Sequence, residues 1–393
     1  MSPQLRYLTA GESHGRGLVA ILEGIPSGLE VKKEYINKEL KRRQAGYGRG
    51  KRMKIEKDEV SIISGVRWGK TLGSPISFFI PNLDWKNWEK AMGIDELEKG
   101  SLPAFTRPRP GHADLVGGIK YNFSDLRNVL ERASARETAA RVATGAICKR
   151  LLEEFKVQIF SRLTQIGKEK DISNWQVSVD NYDKIEKSPL RCMNSEVEKR
   201  MIETIDKARR KGDTLGGIFE VIVIGLPLGL GSYIQWDLKL DARLAFTLMS
   251  IQAIVGVEIG MGFKAACSFG SEVQDEIAYN KSRGFYRLSN RSGGIEGGMT
   301  TGEPLVMRVA MKPISTLRKP LQSIDIESKK KVEATKERSD ICATPAASVI
   351  GEAICAIEIT RAMQEKFGGD SLEEMKRNYL SYLEYVKKRE NLS

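Results

Sequence analysis

The sequence predicts a single α/β (α+β) domain with helices buried between sheets, and three observations carry that expectation. Two long segments with helical periodicity, 133–155 and 343–367, are rich in small side chains, which suits helices packed closely in an interior rather than lying on a surface. Four shorter runs are β-branched or apolar and bounded by Gly or Pro, as strands are. No low-complexity linker divides the 393 residues, and 41% hydrophobic with 29% charged residues is a globular balance in a chain long enough for a sizeable core.

The strand runs are 60–63, 76–80, 219–224 and 305–311. In the first helical segment Ala139, Val142, Ala143, Ala146, Ile147 and Leu151 fall on one stripe. In the second, Ala346, Val349, Ile350, Ala353 and Ile357 do the same, and Pro345 is tolerated in a first turn. Both segments pass from a charged entry through small residues and an apolar body to a basic exit, which suggests an internal duplication. The stretch 165–194 is polar and reads as an excursion from the domain. A surface helix is expected over 195–211, with Ser195 and Glu198 as a capping box and Gly212 beyond its end. Ser371 and Glu374 open an amphipathic C-terminal helix near 371–390.

Composition narrows the chemistry. The formal net charge of +12 favours anionic partners: nucleic acid, an acidic membrane face or a phosphorylated small molecule. Cys148, Cys192, Cys267, Cys342 and Cys355 form no C-x-x-C pair, so free thiols in a reducing compartment are expected. Residues 1–15 have no apolar signal core, and the longest apolar run, 221–231, is too short to span a bilayer, so the chain reads as cytoplasmic and not membrane-bound. No ligand set for a metal appears at suitable spacing. Only two histidines exist, His14 and His112, so any imidazole acid–base work falls to one of them.

Several segments concentrate functional groups. Ser64 to Thr71 nearly spells a phosphate loop, but it lacks the first glycine and runs into another strand signal rather than a helix. The segment GESHGRG, 11–17, sets a hydroxyl, an imidazole and a guanidinium among glycines that let backbone approach a ligand. In 106–114 two prolines stiffen a loop carrying Arg107, Arg109 and His112, with Asp114 near enough to influence the imidazole. The segment 42–52 reads as a flexible basic loop after a helix, for which nucleic-acid binding is a competing reading; Tyr47 is the only aromatic residue interleaved there. Residues 131–138 bring Arg132, Ser134 and Arg136 to a helix start, where free N–H groups attract phosphate. Asp340 precedes the second small-residue helix and suits either chemistry or plain capping.

Taken in order, GESHGRG, RRQAGYGRG, RPGHADL, RASARETAARVATGA, SIQAIVGVEIGMGF, SGGIEGGMTTGE, KPIST and RSDICATPAA resemble the successive signatures of the chorismate synthase family, from residue 11 to about residue 350. The resemblance implies a β-α-β sandwich, a homotetramer, and 1,4-elimination of phosphate from 5-enolpyruvylshikimate 3-phosphate with reduced FMN and no net redox change. It implies flavin contacts at Arg132, Ala133, Ser134, Gln252, Ala253, Gly297, Lys312, Pro313, Ile314, Ser315, Thr316 and Arg338. It matches His14, His112 and Asp340 to catalytic positions, and Arg43 and Arg49 to positions associated with NADPH or substrate; Ser13, Arg107 and Arg136 join them as substrate-side candidates. Family members often carry Asn or Pro where this chain has Gln252. NADPH enters only as a possible reductant of the flavin, and the lack of a dinucleotide fingerprint or a C-x-x-C pair leads us to expect no self-sufficient reduction.

Overall fold

The computed structural model describes residues 5–50, 55–173, 179–337 and 339–391. Two antiparallel sheets face each other across a layer of helices. The first sheet is built from Arg6–Ala10, Gly17–Glu23, Ser61–Ile62 and Ile76–Pro81; Gly17–Glu23 pairs with Arg6–Ala10 on one side and Ile76–Pro81 on the other, and Ser61–Ile62 closes the edge. The second has five strands in the order Ile254–Ile259, Leu305–Met311, Gly217–Ile224, Gln158–Ile166 and Glu169–Lys170. The strand expected over 305–311 has those bounds, whereas the one expected over 60–63 is two residues long.

The helix layer is centred on two antisolvent cylinders. The first inner helix, Thr138–Glu153, lies against the first sheet and against the second inner helix, Thr344–Phe367, which covers the second sheet. Small residues set this spacing. A Cβ added to Gly145 would stand 2.5 Å from the Cβ of Ala353, and one on Gly351 would stand 2.8 Å from the ring of Phe219. The helices therefore meet backbone to backbone, and every residue of both expected stripes is buried. Lys33–Gln44 and Leu240–Met249 flank the pair.

Three local expectations need correction. The helix expected from residue 133 is interrupted: Arg127–Ala133 ends at Ser134, whose extended backbone (ψ 140°) and side chain, accepting from the Arg136 N–H, open a short turn before Thr138. The surface helix Ser195–Lys211 is capped by Asn194, not Ser195; the Asn194 side chain accepts from the N–H groups of Glu196 and Val197. The segment from Arg42 is not a loose basic loop. Arg42 and Arg43 belong to Lys33–Gln44 and turn inward on opposite sides, although residues 51–54 lie outside the described part. Ser64 to Thr71 closes a small hairpin, Val66–Arg67 with Lys70–Thr71. The polar stretch 165–194 contains the helix Val179–Lys187, whose Tyr182 and Glu186 plug into a buried charge cluster around Glu352. The C-terminal helix runs Leu372–Asn391. All five cysteines are free thiols, and among the described residues no helix is long and apolar enough to cross a membrane.

Candidate active site

A cavity of about 440 Å³ opens where the two inner helices begin, within the size range of small-ligand sites. Its walls come from seven separate parts of the chain. The turn at 13–14, the 43–50 segment, the 109–113 loop, the stretch 130–138, the 251–253 turn, 311–316, and the segment from Glu337 into the second inner helix converge there. Five basic side chains, Arg43, Arg49, Arg109, Arg136 and Lys312, line it against two carboxylates, Glu337 and Asp340, among the described residues. Leu130, Ile251, Met311, Ile314 and Ile350 supply an apolar wall.

The arginines are held rigidly. Arg43 donates from Nε to the Thr138 hydroxyl at 2.9 Å, from Nη2 to the Ala135 carbonyl at 3.0 Å and from Nη1 to Asp58 at 3.2 Å. Arg136 donates to Asn82 at 2.7 Å and to the other oxygen of Asp58. Burial pushes the Arg43 guanidinium down to about 10, which leaves it charged at neutral pH. Asp58 thus bridges the two guanidinium groups, Glu56 lies 3.8 Å from Arg136 Nη2, and both arginines line the cavity.

Each histidine is fixed by its own carboxylate. The His14 Nδ1 lies 2.8 Å from Glu131 Oε1, its backbone N–H donates to Oε2 at 2.7 Å, and its ring stacks on Trp88 with centroids 4.0 Å apart. The His112 Nδ1 lies 2.6 Å from Asp114 Oδ1. Asp114 also accepts from Arg109 Nε at 2.8 Å and from the Arg109 backbone at 3.0 Å. Burial alone would raise the Asp114 carboxyl, but hydrogen bonds from Arg109 and His112 outweigh it and hold the group well below the usual carboxylate range. Arg109 Nη1 reaches Thr316, and Lys312 Nζ donates to the Gly111 carbonyl at 2.9 Å, so the 312–316 segment braces the His112 loop.

Asp340 does not cap the second inner helix, whose N-cap is Ala343 with no side-chain bond. Its Oδ1 instead accepts the Gly50 N–H at 2.6 Å and its Oδ2 pairs with Arg49 Nη1 at 2.7 Å. This needs the 46–50 turn to press against 339–342. Gly48, at φ +91°, provides it: its carbonyl accepts the Ile341 N–H, and an added Cβ would lie 3.2 Å from Cys342.

Of the residues expected from the sequence, Ser13, His14, Arg43, Arg49, His112, Ala133, Ser134, Arg136, Gln252, Ala253, Lys312, Ile314, Ser315, Thr316 and Asp340 line this one cavity. Arg132, Pro313, Gly297 and Arg107 do not. Arg132 ties the 9–11 backbone instead, donating to the carbonyls of Thr9 and Gly11. Arg107 is exposed, and its neighbour Arg109 is the arginine turned inward. Arg338 lies outside the described residues. Sequence reasoning missed Glu131, Trp88 and Asp58 as partners of site residues; Glu131 stood in a highlighted segment but nothing in its spacing joined it to His14.

A flavin fits these residues. Gln252 donates to Glu137 at 3.4 Å while its Oε1 is buried with no protein partner, an acceptor waiting for a donor. Ala253 beside it is held at φ +65°, a left-handed conformation costly for alanine and characteristic of functional sites. The apolar wall suits a ring system and the arginines suit phosphate.

Fold and cavity are those of an α/β enzyme handling a small, multiply anionic molecule. A sequence profile described as Chorismate synthase matches residues 5–364. The chain belongs to the chorismate synthase family, lyases of the shikimate pathway that act on a phosphorylated substrate. It is 56% identical over 391 residues to the chorismate synthase of Aquifex aeolicus (strain VF5), covering 98% of each chain. It is 55% identical over 389 residues to that of Geotalea daltonii, covering 97% of this chain and 99% of the relative. A solved structure titled "Crystal Structure of Chorismate Synthase" superposes with a TM-score of 0.80 at 46% identity, covering 99% of this chain and 100% of that one.

Proposed function

We propose that the cavity binds 5-enolpyruvylshikimate 3-phosphate beside reduced FMN, and that His14, His112 and Asp340 carry the proton movements of the elimination. The observation that carries this reading is that five basic and two acidic side chains line a cavity that also receives both histidines of the chain, the carboxylates paired with Arg43, Arg109 and Arg136 lying behind its wall. Arg43, Arg49 and Arg136 neutralise the phosphate and carboxylates of the substrate. His14 donates a proton to the departing phosphate. His112, backed by Asp114, holds a proton at the flavin. Asp340, steadied by Arg49 and the Gly50 amide, assists removal of the substrate hydrogen. Ala133, Ser134, Gln252, Ala253 and the 312–316 segment hold the flavin. When bound, reduced flavin lends electron density to a weakly activated carbon and recovers it, so the reaction consumes no reductant.

A homotetramer is supported by the exposed apolar residues of 233–269, including Tyr233, Ile234, Trp236, Phe246, Phe263 and Phe269, a face that assembly would cover.

The test is an anaerobic assay. Product is expected with chemically reduced FMN, with many turnovers per flavin, and none with oxidised FMN, whether or not NADPH is added. Product without any flavin would defeat the reading. One product per flavin oxidised would make the protein an oxidoreductase, and sustained turnover from oxidised FMN and NADPH would overturn only the expectation about flavin supply.

A further inference from the structure

Glu131 is almost fully buried near the end of Arg127–Ala133, and both of its carboxylate oxygens are spent on one residue. Oε2 accepts the His14 backbone N–H at 2.7 Å and Oε1 meets His14 Nδ1 at 2.8 Å, while the Glu131 carbonyl accepts the Ser13 N–H at 3.1 Å. Trp88 closes over the imidazole, its plane within 25° of the ring, and Arg127 lies 5.4 Å from the Trp88 ring and 3.8 Å from Glu131. A carboxylate is acceptor-only, so the nitrogen facing it must carry a proton. Nε2 is then the only ring nitrogen left for the cavity.

We propose that Glu131 is a positioning residue that fixes His14 as the Nδ1–H tautomer and lets it carry a second proton on Nε2 for delivery to the leaving phosphate. This rests on the reading of His14 as the proton donor. The step balances: the carbon–oxygen bond breaks with its electron pair on the phosphate oxygen, the pair of the carbon–hydrogen bond lost in the same elimination makes good the deficit as the new double bond, the phosphate oxygen takes the Nε2 proton, and His14 is left neutral with Nδ1–H still on an ionised Glu131. Trp88 keeps the ring from turning about its side-chain bonds during the transfer. Solvent reprotonates Nε2 once phosphate has left.

Glu131→Gln separates this role from simple support of the 11–17 turn. Glutamine has one acceptor oxygen and one amide group. The backbone N–H of His14, which can only donate, claims the oxygen. The amide N–H then faces Nδ1, which must accept, and the ring proton moves to Nε2. A neutral Nε2–H imidazole still hydrogen-bonds phosphate, so binding persists, but it has no proton to give without becoming an anion.

The experiment reads imidazole ¹⁵N shifts in long-range ¹H–¹⁵N spectra of the ligand-free protein, alongside steady-state kinetics with reduced FMN. With only two histidines the assignment follows from His14→Ala, and His112 serves as an internal control. Expected are Nδ1–H for neutral His14 in the unaltered protein and Nε2–H in Glu131→Gln. With unchanged His112 signals, kcat should fall about 10²-fold, the scale of a positioned acid, and KM should barely move. Glu131→Asp, which keeps two acceptor oxygens, should restore the tautomer and much of kcat. Nε2–H in the unaltered protein overturns the proposal even if Glu131→Gln does not fold; so does an altered tautomer with kcat intact, or a loss of kcat with the tautomer kept. Full turnover by His14→Ala would defeat the donor reading itself, while the tautomer result would stand or fall separately.

Discussion

Arg42 and Arg43 are adjacent in sequence and enter two different kinds of buried charge cluster. Arg42, with Lys149 and Arg191, meets Glu39, Glu186 and Glu352, so three cations face three carboxylates. Ser161 and Tyr182 add hydroxyl donors to Glu352. Burial would raise the Glu352 carboxyl, but Arg42, Lys149 and Arg191 hold it far below the usual range. Arg43 instead joins a cluster whose carboxylates, Asp58 and Glu56, lie behind the cavity wall, so that Arg43 and Arg136 line the cavity while their counter-charges do not. The same helix turn therefore contributes one guanidinium to a knot in which both signs of charge are interleaved and one to a cluster that turns its cationic side to the cavity. The side on which the cations face, rather than burial or the number of charges, separates the structural cluster from the functional one.

The largest expected effect falls in the cavity. His112→Ala should fold normally and lose about 10²-fold or more in kcat, because the other imidazole, His14, is tied to Glu131 and cannot take its place; a folded variant with near-normal turnover would return the Arg109–Asp114–His112 cluster to a purely structural part. Asp340→Asn should come next. It keeps the shape and an acceptor for the Gly50 amide, so the melting temperature should hold while kcat drops sharply. An active Asn variant would place Asp340 among the loop anchors.

Exchanging one cation in each cluster tests the contrast directly. Arg42→Met leaves Glu352 and Glu39 short of a partner and should cost about 3–5 kcal/mol in chemical denaturation, with KM unchanged in the enzyme that remains folded. Arg49→Gln should do the reverse, raising KM with little change in melting temperature. Equal losses of stability from both would erase the distinction.

How much of this was legible in the sequence differs from element to element. The Leu305–Met311 strand was, because Pro304 and Pro313 bracket an alternating apolar run. Gln158–Ile166 was not. Its Ser161, Arg162 and Thr164 look like surface residues, yet they are buried against Glu352, Glu220 and the Ile218 carbonyl, partners distant in the chain. The edge strand Arg6–Ala10 was missed for the opposite reason, since only Tyr7 and Thr9 on one face are even half-buried and they make no apolar alternation. In the site, scarcity made the histidines conspicuous, and the ordered signatures drew most of the cavity wall. Choosing between Arg107 and Arg109 needed the fold, because a loop of alternating Arg and Pro does not say which side turns inward. Glu131 and Trp88 are joined to His14 only by tertiary packing.

The smallest effect concerns acid. Burial would raise the Glu186 carboxyl, but Arg42 and Arg191 lower it from 4.5 to about 2. A depressed carboxylate stabilises the fold above its unfolded pKa, and that contribution disappears as pH falls through the folded value. Denaturation midpoints should therefore decline between about pH 4.5 and 2, and Glu186→Gln should flatten part of that decline. A slope unchanged by the substitution would remove Glu186 from the knot's energetics.

The cavity wall runs from Ser13 to Ile350, so nearly the whole polypeptide must leave the ribosome before this cavity is complete. A nascent chain halted before the second inner helix lacks one of its walls, and no half of the protein carries the whole site. Whatever occupies the pocket consequently recognises only the finished molecule. Ligand at a hundred times its Kd would favour that molecule over every unfolded form by about 2.7 kcal/mol. Ligand supply is therefore linked to resistance to unfolding as well as to the rate of turnover.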